Sequence, residues 1–223
     1  MPYRRTENVV RHLAEREQAI LAAATSLAAE GGMAAVRIAA VAARAGIAAG
    51  TVYLYFPAKT DLVAAVIAQV TARELAAMRK AAEAAPGPLS ALAACITTFA
   101  ARAMQERRLI WAVTGEPVAP RVDHLRLDFR RALAAEIAAH IDAAAAGGHL
   151  PAQDARIAAP AIIGALLEGL TGPLSPPPQS DAGAQRAAVQ TAALLALRAL
   201  GVIDARARGL VAQCALPAVE QVA

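Results

Sequence analysis

The chain has 223 residues, 57% of them hydrophobic but only 3% aromatic, and a net charge of +4. Its longest uncharged run, residues 84–101, is broken by Pro86, Gly87 and Pro88, which excludes a membrane span of about 20 continuous apolar residues. Cys95 and Cys214 form no CxxC pair or disulfide framework, and the basic N-terminus leads into no apolar core, so neither a zinc module nor a secretory signal is expected.

An apolar content dominated by Ala, with Leu and Arg in support, favours helix, and alternating β-type runs are missing. Taken in chain order, residues 9–30 read as a first helix, with Leu13, Ile20 and Leu27 on one face and Gly31-Gly32 as its stop. Short helices follow at 38–45 and 49–55, joined at Gly46. A long helix runs from Lys59 to about residue 84 and stops at Pro86-Gly87-Pro88. Further helices are expected at about 89–106, 121–146, 152–171 and 184–201, with a short apolar piece at 110–113. The expectation is an all-α, cytoplasmic chain with a small three-helix head (1–58) and a larger helical body (59–223).

Charge supports this division. Residues 1–59 hold seven Lys/Arg against four Glu, whereas residues 60–223 are nearly balanced at fifteen against fourteen. The excess of cations therefore lies where a nucleic-acid contact would need it. Within that quarter, residues 38–55 have the spacing of a helix-turn-helix: two short helices about a tight turn in which Gly46 can take a positive φ. The second helix of such a unit enters the major groove. Ala48, Ala49 and Gly50 let its backbone approach closely, and Thr51, Tyr53 and Tyr55 carry hydroxyls.

The stretch RIAAVAARAGIAAGTVYLYFPAKTDL resembles the DNA-binding signature of the tetracycline-repressor (TetR/AcrR) family of bacterial transcription regulators. Ala42, Ala45, Gly46, Gly50, Thr51, Tyr53, Tyr55, Phe56, Lys59 and Leu62 fall on its pattern, and the resemblance covers residues 19–62. It implies a helix-turn-helix head followed by a helical ligand-binding and dimerisation body. It also implies that Tyr53 and Tyr55 combine DNA contact with packing, that Phe56 anchors the recognition helix, and that Lys59 meets a phosphate at a helix N-terminus. The aromatic cluster also has a purely structural reading, as the core of a small domain. Phe56 fits that reading, Tyr53 fits contact, and Tyr55 fits either.

Departures from the family pattern matter as much. Arg37, Ala48 and Ala58 stand where the family has Thr or Ser N-caps, each worth about 0.5–2 kcal/mol. The recognition helix has no Arg, Lys, Asn or Gln to read a base edge bidentately. Ala48, Ala49 and Val52 can at most touch thymine methyls. Hydrogen bonds to bases are expected from Thr51, Tyr53, Arg37 or Arg44, with Arg37 foremost and a phosphate contact as its other reading. Leu54, between the two tyrosines, completes the DNA-facing set. Arg4 and Arg5 are read either as a minor-groove arm or as a solvated tail.

In the body, the resemblance implies an inducer pocket and a dimer interface made by the last two long helices. Ala158, Ile162, Ala165 and Gly169 on one helix, and Val189, Ala192, Ala193, Ala196 and Leu200 on the next, form small-residue faces suited to a two-fold pairing or to the monomer's own core. The scarce large side chains Met78, Phe99, Met104, Trp111 and Phe129, with Glu168, are the candidates for lining a pocket for a small hydrophobic effector; each also reads as core or surface. His124 with Asp128, and Glu136 with His140, sit four apart but lack a third metal ligand. No nucleophile elbow or phosphate loop appears, so neither an enzyme nor a bound metal or cofactor is expected. The functional expectation is a ligand-responsive dimeric repressor of a pseudo-palindromic double-stranded operator. The alternative is a helical small-molecule-binding or interaction module that does not read DNA specifically.

Overall fold

A computed structural model of the chain describes residues 7–177 and 181–214, with side chains from Val10 onward. Ten helices occupy these residues: α1 (Glu7–Gly31), α2 (Ile38–Arg44), α3 (Ala49–Tyr55), α4 (Lys59–Glu83), α5 (Pro88–Gln105), α6 (Arg107–Thr114), α7 (Pro120–Ala146), α8 (Ala155–Leu170), α9 (Ala182–Ala199) and α10 (Asp204–Gln213). Among the described residues there is no strand, and no single helix is long and apolar enough to cross a membrane. Arg4 and Arg5 lie outside the described residues.

The stops follow from local chemistry. Gly46 takes φ 66° between α2 and α3, a value open to glycine at little cost. Pro88 and Pro120 stand in the first turns of α5 and α7, where the missing N–H breaks no bond. Neither α2 nor α3 has a side-chain cap, as Arg37 and Ala48 led one to expect. At α4 Ala58 likewise offers no side-chain cap, but the reciprocal half of a capping box is present: the Asp61 carboxylate accepts from the Ala58 N–H at 2.9 Å.

One apolar cluster runs through the chain. In the head, Ile20, Ala24 and Ala28 of α1 face Val41, Val52 and Phe56, and Leu62, Val63 and Val66 of α4 continue the cluster into the body. Gln69 of α4 ties back to α1, donating to Gln18 at 3.2 Å and accepting from Thr25 at 3.4 Å. In the body, α5 is enclosed by α4, α7, α8 and α9, and Phe99, Ile96 and Leu92 are fully buried there.

Inside this apolar body lies a buried charge. Glu74 on α4 is 0% exposed. Arg102 on α5 donates to both its oxygens, Nε at 2.7 Å and Nη2 at 2.8 Å. Arg73 adds a bond at 2.9 Å and reaches Glu106 at 2.6 Å. The Glu74 carboxylate pushes the Arg102 guanidinium above its ordinary pKa. Removing either partner would leave the other as an uncompensated buried charge.

Candidate nucleic-acid interface

Only Val52 of α3 is buried, at 0% exposure; Leu54 and Tyr53 stand at 82% and 50%. The geometry explains why. Successive residues turn about 100° around a helix, so Leu54 lies about 200° from Val52, on the far side. Gly50 precedes Leu54 by four residues and shares that outer arc. Val52 is thereby withdrawn from the thymine-facing group, being fixed in the head core. Ala48 and Ala49 remain exposed, Thr51 is half-buried, and Tyr55 is half-buried and packed on the core beside the buried Phe56.

Gly50 is informative because the head does not need it. Its φ is not positive, and a Cβ built there meets nothing within 4 Å. A glycine inside a helix costs roughly 0.5–1 kcal/mol relative to Ala. No contact within the described residues offsets that cost.

The cations around α3 divide into two kinds. Arg44 is committed inside the head: Nη1 and Nη2 grip the Glu30 carboxylate at 2.5 and 2.8 Å, and Nη1 also donates to Ser26 at 2.7 Å. The Arg44 bonds hold Glu30 below the usual carboxylate range, and Glu30 in turn raises Arg44. These bonds make Arg44 a clamp of α2 on α1. Arg37 before α2, Lys59 at the start of α4 and Arg16 on α1 are exposed, and none has a partner among the described residues. Arg16 was not singled out from sequence. It joins His12, Ile47, Thr51, Leu54 and Tyr55 around a groove of about 720 Å³ between α1 and α3. A small-residue helix face with Arg16 in the adjoining groove, and exposed cations at residues 37 and 59 in the flanking segments, suits a polyanion with readable edges.

Comparison with known proteins agrees with this geometry. Residues 20–66, which carry α2, α3 and their flanks, match the family described as bacterial regulatory proteins, tetR family. Residues 20–66 are thus similar to the tetR family. Over 55 residues the chain is 47% identical to the HTH-type transcriptional repressor KstR of Rhodococcus jostii, covering 25% of this chain and 26% of that protein. Over 96 residues it is 36% identical to KstR of Mycobacterium tuberculosis, covering 43% of each. The chain thus spans less than half the length of the curated relatives it matches. Beyond that segment, the whole architecture is similar to that of the transcriptional regulator FadR from Bacillus subtilis, solved with stearoyl-CoA. There the TM-score is 0.68 at 18% identity, over 83% of this chain and 98% of that one.

The candidate body residues are not brought together. Met78, Phe99 and Phe129 are fully buried in the close-packed core. Trp111 lies against Gly115, where a Cβ would come within 2.4 Å of the ring. Glu168 turns to the loop after α8 and accepts from the Leu174 N–H at 3.3 Å. Met104 lines a cleft of about 350 Å³ shared with Ala165, Gly169, Ala192 and Leu195. Of the small-residue faces, Ile162, Val189, Ala193, Ala196 and Leu200 are buried within the monomer. Ala165 and Gly169 are exposed, and Ala158 and Ala192 are half-buried. Glu136 pairs with Arg79 at 2.7 Å and Asp128 with Arg131 at 3.1 Å, while His140 stays 3.6 Å from Glu136.

A second polar junction, between head and body, was illegible in the sequence. Glu116, after α6, accepts from the Met33 N–H at 2.8 Å and pairs with Arg108. Gly32 precedes it at φ 72°. These residues lie beside a cavity of about 600 Å³ bordered by Lys59, Val63, Val118 and Val122.

Proposed function

We propose that this chain is a homodimeric transcriptional repressor that occupies a partly palindromic operator and releases it when a small, largely apolar molecule binds the body. The observation that carries the reading is the outer arc of α3. Gly50 and Leu54 there face away from the core, Arg16 lines the groove beside Leu54, and Arg37 and Lys59 are exposed in the segments that flank the two short helices. In the major groove, that arc would lie against base edges while the cations neutralise phosphates. The N–H groups at the start of α3, which no side chain caps, would be free to meet the same phosphates. The protein acts by binding, in the cytoplasm where its DNA lies.

Two heads need a dimer, because half-sites are read one helical turn or more apart. The outward sides of α8 and α9 are the proposed interface. Ile157 and Leu195 are large and exposed there, and Ala158, Ala165, Gly169 and Ala192 allow close approach. Ile162, Val189, Ala193, Ala196 and Leu200 form the rigid backing of that surface from inside each subunit. An effector would act by favouring one head-to-head spacing; equal affinity for both spacings would shift nothing.

Gel-shift titration against flanking genomic DNA, repeated at rising salt, tests the proposal. A repressor retains preference for one fragment as salt rises, because base contacts do not depend on counterion release. Loss of all fragments together at the same salt would refute it.

A further inference from the structure

The outer arc of α3 offers a base edge very little hydrogen bonding. Of its exposed residues, Ala48, Ala49, Gly50, Tyr53 and Leu54, only Tyr53 carries a polar side-chain atom. Arg44, the nearest guanidinium on α2, is held by Glu30 and Ser26. Yet Leu54 projects an isobutyl group into solvent at 82% exposure, with no contact in the head to justify it. All four bases show donors or acceptors in the major groove, which an aliphatic chain leaves unpaired. Thymine alone adds a methyl group that such a chain can cover.

On the reading that this head binds duplex DNA, we infer that Leu54 is its specificity-determining side chain and that it recognises a thymine 5-methyl group in each half-site. Gly50 completes the device. It lies four residues before Leu54 on the same arc, and a bare backbone there lets the leucine reach the groove floor. The phosphate contacts of Arg16, Arg37 and Lys59 hold the helix in place without choosing a sequence. Discrimination is then apolar, and the operator carries a thymine at one fixed position of each half.

The size of the effect follows from burial. One methyl removed from a covered position weakens binding roughly four-fold per half-site, and roughly fifteen-fold when both half-sites lose it.

The test uses the full chain and a duplex selected from a random library. Each thymine of the selected duplex is replaced in turn by deoxyuridine, which lacks only the 5-methyl group. The expected result is one position per half-site where the replacement weakens binding about three- to five-fold. Leu54→Ala should weaken binding to the thymine duplex by a similar or larger factor and be indifferent to deoxyuridine there. Because Leu54 is exposed, the variant should melt with the wild type. If no position responds by more than two-fold, or if Leu54→Ala retains the wild-type response, the inference is overturned while DNA binding stands. If selection enriches no sequence at all, the DNA-binding reading falls with it.

Discussion

Gly50→Ala adds one methyl group and should push stability and DNA affinity in opposite directions. Gly50 is the second residue of the seven-residue α3, its φ is not positive, and nothing lies within 4 Å of an added Cβ. The fold should therefore gain the helix preference of Ala over Gly, roughly 0.5–1 kcal/mol. In a chain of this size that raises the melting temperature by about 1–4 °C. In the groove the same methyl is an overpacked contact, costing about 1 kcal/mol or more per head. With two heads the loss is about 2 kcal/mol, or about 30-fold in operator affinity. Calorimetry of the free protein and fluorescence anisotropy on the selected duplex read the two effects separately. A variant that binds within two-fold of wild type, or that melts below it, would refute the assignment of this face to DNA.

Other substitutions probe the supports of that face. Glu74→Ala should cost about 3–5 kcal/mol in urea denaturation, because it strands Arg102, whereas Glu74→Leu combined with Arg102→Met should recover most of the loss; a single change costing under about 1 kcal/mol would contradict the buried bridge. Gly32→Ala should destabilise by about 1–3 kcal/mol, since φ is 72° and a Cβ there would lie 1.9 Å from Arg108 Nη2; unchanged denaturation midpoints would remove Gly32 from the head–body junction. Glu30 has a folded pKa below its unfolded one, so the Arg44 clamp stabilises above the unfolded value and is lost as pH falls through the folded one. Between about pH 6 and pH 3 the wild-type urea midpoint should therefore fall more steeply than that of Arg44→Gln; parallel curves would show that the clamp adds nothing in solution.

Long helices and their stops were readable because periodicity, Gly and Pro all mark them. The predicted 49–55 and 59–84 agree with α3 and α4 to within a residue. Where few side chains are buried, the signal failed. In α10 only Ala207 and Val211 are buried, too sparse a stripe to stand out, and the helix was not expected. The piece expected at 110–113 is the middle of α6, which begins with the charged Arg107 and Arg108. Which residue of α3 turns inward was also hidden, since seven residues with aliphatic groups at 52 and 54 fit two rotations. Burial in the head core chose Val52. Pairs such as Arg44 with Glu30, 14 residues apart, and Arg102 with Glu74, 28 apart, depend on how helices face each other. No local pattern encodes that.

Hydroxyl-radical footprinting of the selected duplex, together with the mass of the complex in solution, tests the central claim most directly. The account predicts two protected patches on one face of the duplex, one helical turn or more apart, and an even number of chains on each duplex. Diffuse protection that vanishes with modest salt, or one chain bound alone, would contradict it.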